Sequence, residues 1–374
     1  MPKHAYLSAS ASHRWLACPP SAKLCAQEED QGSPYAQQGT DAHTLCEYLV
    51  EKALGYRVRD PTEDLTWYDA EMQEAAEGYS AFVMEQVAEA KEHCSDPLIC
   101  IEQRLDFSRW VEDGFGTGDC VIVADDLLQI IDFKYGVGVL VEAADNSQLK
   151  CYALGALDTF GDLYDIQRIR LTIYQPRRDN IDTFDLTAEE LLTWADKVLA
   201  PTAKLAYDGE GDFHAGDHCQ FCKVKATCRE RANYSMELAK YDFAAAPTLC
   251  TDEIAMILPQ IDALVSWAED VKTYALAQAL AGEHYPGFKL VEGRSNRKYS
   301  DEGSVARIVE DAGYDPYEKK LLGITAMQRQ LGKKKFEELL SGLVIKPQGK
   351  PVLVPESDKR PEMNTAANDF MEED

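Results

Sequence analysis

The pattern of apolar positions changes period three times between Gly116 and Gly155. Cys120-Val121-Ile122-Val123-Ala124 and Leu127-Leu128-Gln129-Ile130-Ile131 are short apolar runs rich in β-branched residues, joined at Asp125-Asp126. They predict a buried antiparallel hairpin. Polar groups stand only at its ends: Asp119 opens the first strand, and Asp132 with Lys134 closes the second. Helical spacing then runs from Gln148 to Phe160, with Asn146 or Ser147 as its cap. Gln148 and Tyr152 are one turn apart on the same face.

The flanking chain extends this picture. Trp15 to Pro20 reads as a short helical turn stopped by two prolines. Gln38 to Leu54 is predicted helical, with Ala42, Leu45, Cys46, Leu49, Val50 and Ala53 apolar and His43 in its first turns. A longer acidic helix spans Asp69 to Cys94, and Leu98 to Glu102 is the strand leading to the hairpin. Ile166 to Tyr174 alternates as a half-buried strand does and ends at Gln175-Pro176-Arg177-Arg178. Thr187 to Leu205 reads as a helix, with Thr187 and Glu190 as a capping box. Beyond residue 250 the pattern is helical: one helix from Thr251 to Ala281, then two or three shorter ones from Ser300 to Leu343. Residues 346–374 are expected to be a disordered tail. No internal repeat is visible. No apolar run is long enough to span a bilayer, and the N-terminus carries no secretory pattern, so a cytoplasmic protein is expected.

Charge narrows the choice of partners. The chain carries 65 acidic against 38 basic residues, a net charge of −27, which opposes non-specific binding to phosphate backbones. Any nucleic-acid contact must be local, through a few cations and bound metal. Arg177, Arg178, Lys223, Lys225 and Arg229 are the candidates, each also readable as an ordinary exposed cation. Eleven cysteines without an export signal imply a reducing compartment, where clustered thiols tend to bind metal. Cys219, Cys222 and Cys228 form C-x2-C-x5-C, a strong metal signal that supplies three ligands. The fourth is open among His214, His218, Cys250 and Cys18.

A hairpin pairs the start of its first strand with the end of its second, so Asp119, Asp132 and Lys134 should lie together. Two carboxylates there are hard oxygen ligands suited to Mg²⁺ or Mn²⁺. The Phe133 carbonyl could add a third ligand, and a neutral His43 imidazole would complete the shell and favour Mn²⁺. Metal-assisted phosphodiester cleavage is the chemistry such a set serves, with Lys134 offsetting developing negative charge. The alternative is a structural salt bridge in which Lys134 simply neutralises Asp132.

Gly39-x-x-x-His43, Gly118-Asp119, Asp132-x-Lys134 and Gln148-x-x-x-Tyr152 occur in the order found in RecB-type nucleases of the PD-(D/E)XK superfamily, which this chain resembles over about residues 8–235. The resemblance implies an α/β fold with a restriction-endonuclease-like core, a mixed central sheet flanked by helices, and a helical C-terminal region. It implies metal binding by His43, Asp119, Asp132 and the main chain of Phe133. Lys134 would be catalytic, and Gln148 and Tyr152 would support the site and contact DNA. A subset of the family, including CRISPR-associated and AddB-type nucleases, holds a [4Fe–4S] cluster on one Cys before the core and three after it. Cys18 with Cys219, Cys222 and Cys228 is similar to that arrangement; zinc is the alternative. The chain is also close to a phage and prophage family with this core. The expected organisation is a core over 1–245, a helical accessory region over 251–345 and the tail. The expected activity is a Mg²⁺- or Mn²⁺-dependent deoxyribonuclease, an exonuclease on DNA ends or single strands in recombination or DNA processing. The expected partner protein is a phage recombination or single-strand-annealing protein. A non-catalytic DNA-binding or assembly module on the same fold is the alternative. No G-x-x-x-x-G-K-[ST] phosphate loop is present, so unwinding would come from a partner, or the substrate would offer free ends or single strands.

Overall fold

The computed structural model describes residues 5–28, 34–237, 249–291, 299–317, 321–340 and 342–345. The expected tail, 346–374, lies outside them. Helices α1 (Ser12–Ala17), α2 (Ser21–Ala26), α3 (Pro34–Ala53) and α4 (Ala70–His93) precede strands β1 (Leu98–Asp106), β2 (Phe115–Ala124) and β3 (Leu127–Phe133). Helix α5 (Ser147–Phe160) then crosses to β4 (Arg168–Gln175) and β5 (Asn180–Thr187). Next come α6 (Ala188–Trp194), a π turn over Ala195–Leu199, α7 (Ala200–Asp208), α8 (Arg229–Glu237) and α9 (Thr251–Leu280). A second compact unit begins at Gln278. It contains α10 (Glu302–Asp311), α11 (Ile324–Leu331) and α12 (Lys333–Leu340).

The sheet runs β1-β2-β3-β4-β5. It is mixed, because β3 and β4 pair in parallel while the other neighbours are antiparallel. A parallel pair needs a crossover, and α5 is that crossover. Successive residues of β2 pack on opposite layers. Val121 and Val123 join one core with α5, whereas Cys120, Ile122 and Ala124 join another with α3 and α4. Both sheet faces are therefore covered, which is why the hairpin reads as continuous apolar runs.

Local chemistry explains most element boundaries. Asn146 caps α5 by accepting from the Leu149 N–H, and Asp69 caps α4 by accepting from Met72. The Thr187–Glu190 capping box opens α6 as expected. The helix it opens is not uniform. Pro201 has no N–H for the carbonyl four residues back and its ring crowds that carbonyl, and the chain widens into the π turn just before it.

Two boundaries differ from the sequence reading. Strand β2 starts at Phe115, so Asp119 sits mid-strand instead of opening it. Strand β5 was not foreseen, because its half-buried side carries Asn180 and Asp182 as well as Phe184 and Leu186. Those polar groups hold the loop after β3: Asp182 accepts from the Ala143 N–H at 2.7 Å and Asn180 donates to the Val141 carbonyl at 2.9 Å.

Ile130 lies fully buried in β3. Ile130→Ala is expected to lower the unfolding free energy by about 2–5 kcal/mol, read as a shift in the urea midpoint at unchanged slope.

Candidate metal centre

Three acids stand in a row across β1, β2 and β3. The register that pairs Ile101 with Cys120 and Gln103 with Gly118 sets Glu102 opposite Asp119. Continuing the β2–β3 register one step past Cys120–Ile131 sets Asp119 opposite Asp132. Helix α3 lays His43 over this row, with its ring edge-on to Phe133 at 5.4 Å between centroids. Ligand atoms of His43, Glu102 and Asp119 all lie within 4.8 Å of one another.

Each member of the row is held differently. Asp119 meets His43 Nδ1 at 3.3 Å with one oxygen and accepts the Phe133 N–H at 2.7 Å with the other. Asp132, 2% exposed, meets Lys134 Nζ at 2.9 Å and accepts from Gln148 Nε2 at 3.3 Å. Lys134 also donates to Gln148 Oε1 at 3.0 Å, and Gln148 donates to Tyr152 Oη at 3.0 Å. Glu102 adopts φ 48° within β1. A left-handed conformation is unfavourable for a residue with a side chain, and here it turns a carboxylate toward the site.

The Tyr152–Gln148 face reaches the row because α5 sits unusually close to the sheet. A Cβ on Gly116 would fall 2.6 Å from the Tyr152 ring, and one on Gly155 would meet Leu105 at 2.9 Å. Only glycine permits that approach.

The electrostatics follow from burial and crowding. Burial raises Glu102 first and the Asp119 charge raises it further, to about 7. Burial opposes the His43 cation, yet the Asp119 carboxylate lifts it to about 9 by charge and hydrogen bond. Burial also works against the Asp119 charge, but His43, the Phe133 N–H and Lys134 hold it below the ordinary carboxylate range. Asp132 is raised by burial against the pull of Lys134. His43 and Asp119, both singled out in the sequence, are brought together here with Glu102. Glu102 had been read only as the end of a strand. The signal was the same as at Asp132, an acid closing an apolar run.

A second cluster lies elsewhere on the first unit. Cys18, after α1, and Cys219, Cys222 and Cys228 line one cavity together with His214 and His218. Cys250 is exposed at the start of α9. His218 Nε2 donates to the His214 carbonyl at 2.9 Å and lies 3.8 Å from Cys219 Sγ. Its ring is raised, chiefly by a hydrogen bond with Cys18. Cys25 of α2, not singled out in the sequence, touches Cys222 with 3.6 Å between sulfurs.

Four of the five candidate DNA-binding cations already hold protein groups. Arg177 pairs with Glu71 at 2.9 Å, and Arg178 donates to the Val137 carbonyl at 2.8 Å. Lys223 donates to the Glu28 carbonyl at 3.1 Å, and Lys225 pairs with Asp270 at 2.9 Å. Arg229 is exposed at the head of α8.

Fold and site together define an α/β protein with a half-buried histidine–carboxylate centre suited to a divalent cation. The chain belongs to the DUF2800 family, described as a protein of unknown function, whose model matches residues 4–361. Among solved structures, the crystal structure of SSO0001 is 14% identical to it over 52% of this chain and 98% of that one, with a TM-score of 0.24. So low a score carries no inference about fold or function. No helix among the described residues is long and apolar enough to cross a membrane.

In chelator-treated protein, stability is expected to fall as pH rises from 6.5 to about 9. The raised His43 contributes fully below its ordinary pKa of 6.5 and loses that contribution as it deprotonates. Glu102 acts in the same direction between 4.5 and about 7, because its folded form prefers the proton. Thermal melts across this range should flatten in His43→Asn. Saturating Mn²⁺ should raise the melting midpoint, and Glu102→Gln should weaken the apparent Mn²⁺ affinity by more than about tenfold.

Proposed function

We propose that this chain is a metal-dependent deoxyribonuclease with a RecB-like PD-(D/E)XK core, acting on DNA ends or single strands. The observation that carries the reading is one cluster: His43, Glu102 and Asp119 within 4.8 Å of one another, beside an Asp132–Lys134 pair at 2.9 Å. A purely structural salt bridge explains Asp132 and Lys134. It leaves unexplained why Glu102 and Asp119 are crowded onto a histidine next to them.

The donor set fits Mn²⁺ or Mg²⁺, since it combines one imidazole with hard carboxylate oxygens. His43, Glu102 and Asp119 would hold the ion, with Asp132 adjoining. When bound, a divalent cation supplies Lewis acidity and charge neutralisation for phosphodiester hydrolysis. The remaining work belongs to the chain. Lys134, fixed by Asp132 and Gln148, offers an ammonium to a phosphate oxygen or to the attacking water. Gln148 keeps that ammonium in register, and Tyr152 keeps Gln148.

For the cysteine cavity we favour a [4Fe–4S] cluster on Cys18, Cys219, Cys222 and Cys228. Cys18, Cys219, Cys222 and Cys228 line one cavity and offer four thiolates, the ligand set such a cluster takes.

Labelled linear DNA should be degraded in Mn²⁺ or Mg²⁺, single strands included, while closed circles are spared. Asp119→Ala and Lys134→Ala should each lose about 10²-fold or more of that activity. Equal degradation by wild type and both variants would mean a contaminating nuclease and would remove this reading. Anaerobically purified protein should carry iron and acid-labile sulfide with broad visible absorbance; stoichiometric zinc in colourless protein would replace the cluster.

A further inference from the structure

The four thiols that line the cysteine cavity leave one neighbour unexplained. Cys25 stands on α2 behind Cys222, 197 residues away in the chain, with the two sulfurs 3.6 Å apart. Both residues are buried, at 6% and 8% exposure. The Cys25 sulfur accepts the Lys223 N–H at 3.3 Å, which anchors it beside the residue that follows Cys222. Ordinary packing does not require two thiols to meet from opposite ends of the nuclease-like core with a backbone donor aimed at one of them. Closing 3.6 Å to a disulfide bond of about 2.05 Å needs a shift of about 1.5 Å, within reach of side-chain rotation.

We propose that Cys25 and Cys222 form a reversible dithiol–disulfide site that controls whether the cysteine cavity can hold its metal group. With hydrogen peroxide as oxidant, one thiolate attacks a peroxide oxygen, giving a sulfenic acid and water. The second thiol displaces the sulfenic oxygen as a second water. Both S–H bonds and the O–O bond are broken, and one S–S bond forms. Two electrons pass from the sulfurs to peroxide, and the two thiol protons end in the waters. A sulfur so bonded is no longer a thiolate, so Cys222 is withdrawn from the cavity until a thiol reductant restores it. The disulfide stands independently of the metal; the control of loading rests on the reading of Cys222 as a ligand given above.

The test uses the full chain, chelator-stripped and reduced, treated with a slight excess of hydrogen peroxide, alkylated, digested without reductant and mapped by mass spectrometry. The expected product is a linked Cys25–Cys222 peptide, with loss of two of the eleven thiols and recovery on reduction. The link should be absent from Cys25→Ser and Cys25→Ala. A dominant link from Cys222 to Cys219 or Cys18, or sulfinic acid at Cys25 without a link, would overturn the proposal; wild-type mapping decides this even if the variants fail to fold. In parallel, anaerobic iron–sulfide loading should proceed in reduced wild type and in Cys25→Ser, and fall more than about tenfold in peroxide-treated wild type. Undiminished loading of the oxidised protein would overturn the control. If reduced wild type takes up neither iron nor zinc, the metal-group reading fails, and the linked peptide still decides the dithiol.

Discussion

Three carboxylates stand side by side across neighbouring strands, and one ammonium neutralises only one of them. At 4.8 Å and an effective dielectric near 20, an ionised Glu102–Asp119 pair costs about 3 kcal/mol. Lys134 answers for Asp132, and His43 answers for Asp119 by holding a proton up to about 9. Glu102 has no cation of its own and keeps its proton to about 7. Protons on a histidine and a glutamate thus fill the place that a divalent ion would take. The sheet can bear this crowding only because some positive charge is always at hand.

The scaffold is arranged to hold that charge in position. Strands β1 to β3 set the spacing of the acids, since their backbones are tied by ladder bonds and the acids sit at facing positions. Helix α3 brings His43, and its buried Asp41 accepts the Trp67 N–H at 2.8 Å, fastening the approach to α4 on the same layer. Helix α5 comes from the opposite layer, close against Gly116, and carries Gln148 and Tyr152 to the ammonium. Two layers therefore meet at one sheet position, where a one-residue slip of register would send every acid to the wrong face.

The cysteine cavity ties distant segments together in a different way. Cys18 comes from near one end of the core and the other three thiols from beyond α7. Their loop is fastened in turn to α9. Asp270 of α9 takes Arg231 at 2.6 Å and Lys225 at 2.9 Å. Helix α9 belongs with the first compact unit up to Ala277. An acidic protein spends several of its cations on such internal pairs.

The hairpin, α4, the α5 cap and the α6 capping box were legible in the sequence, because each rests on contacts among near neighbours in the chain. Asp119, Asp132 and Lys134 stood out for a related reason: a charge that interrupts a buried run must be compensated, whatever surrounds it. Glu102, Cys25 and the service of Asn180 and Asp182 were not legible, because their partners are far away in sequence. Glu102 matters only through the β1–β2 register and its φ of 48°, and Cys25 only through a residue 197 positions on. Local pattern and desolvation determined which elements form and which charges demand a partner. Which groups actually meet was decided by strand register and by the close approach of α5, properties of the packed molecule that no stretch of sequence contains alone.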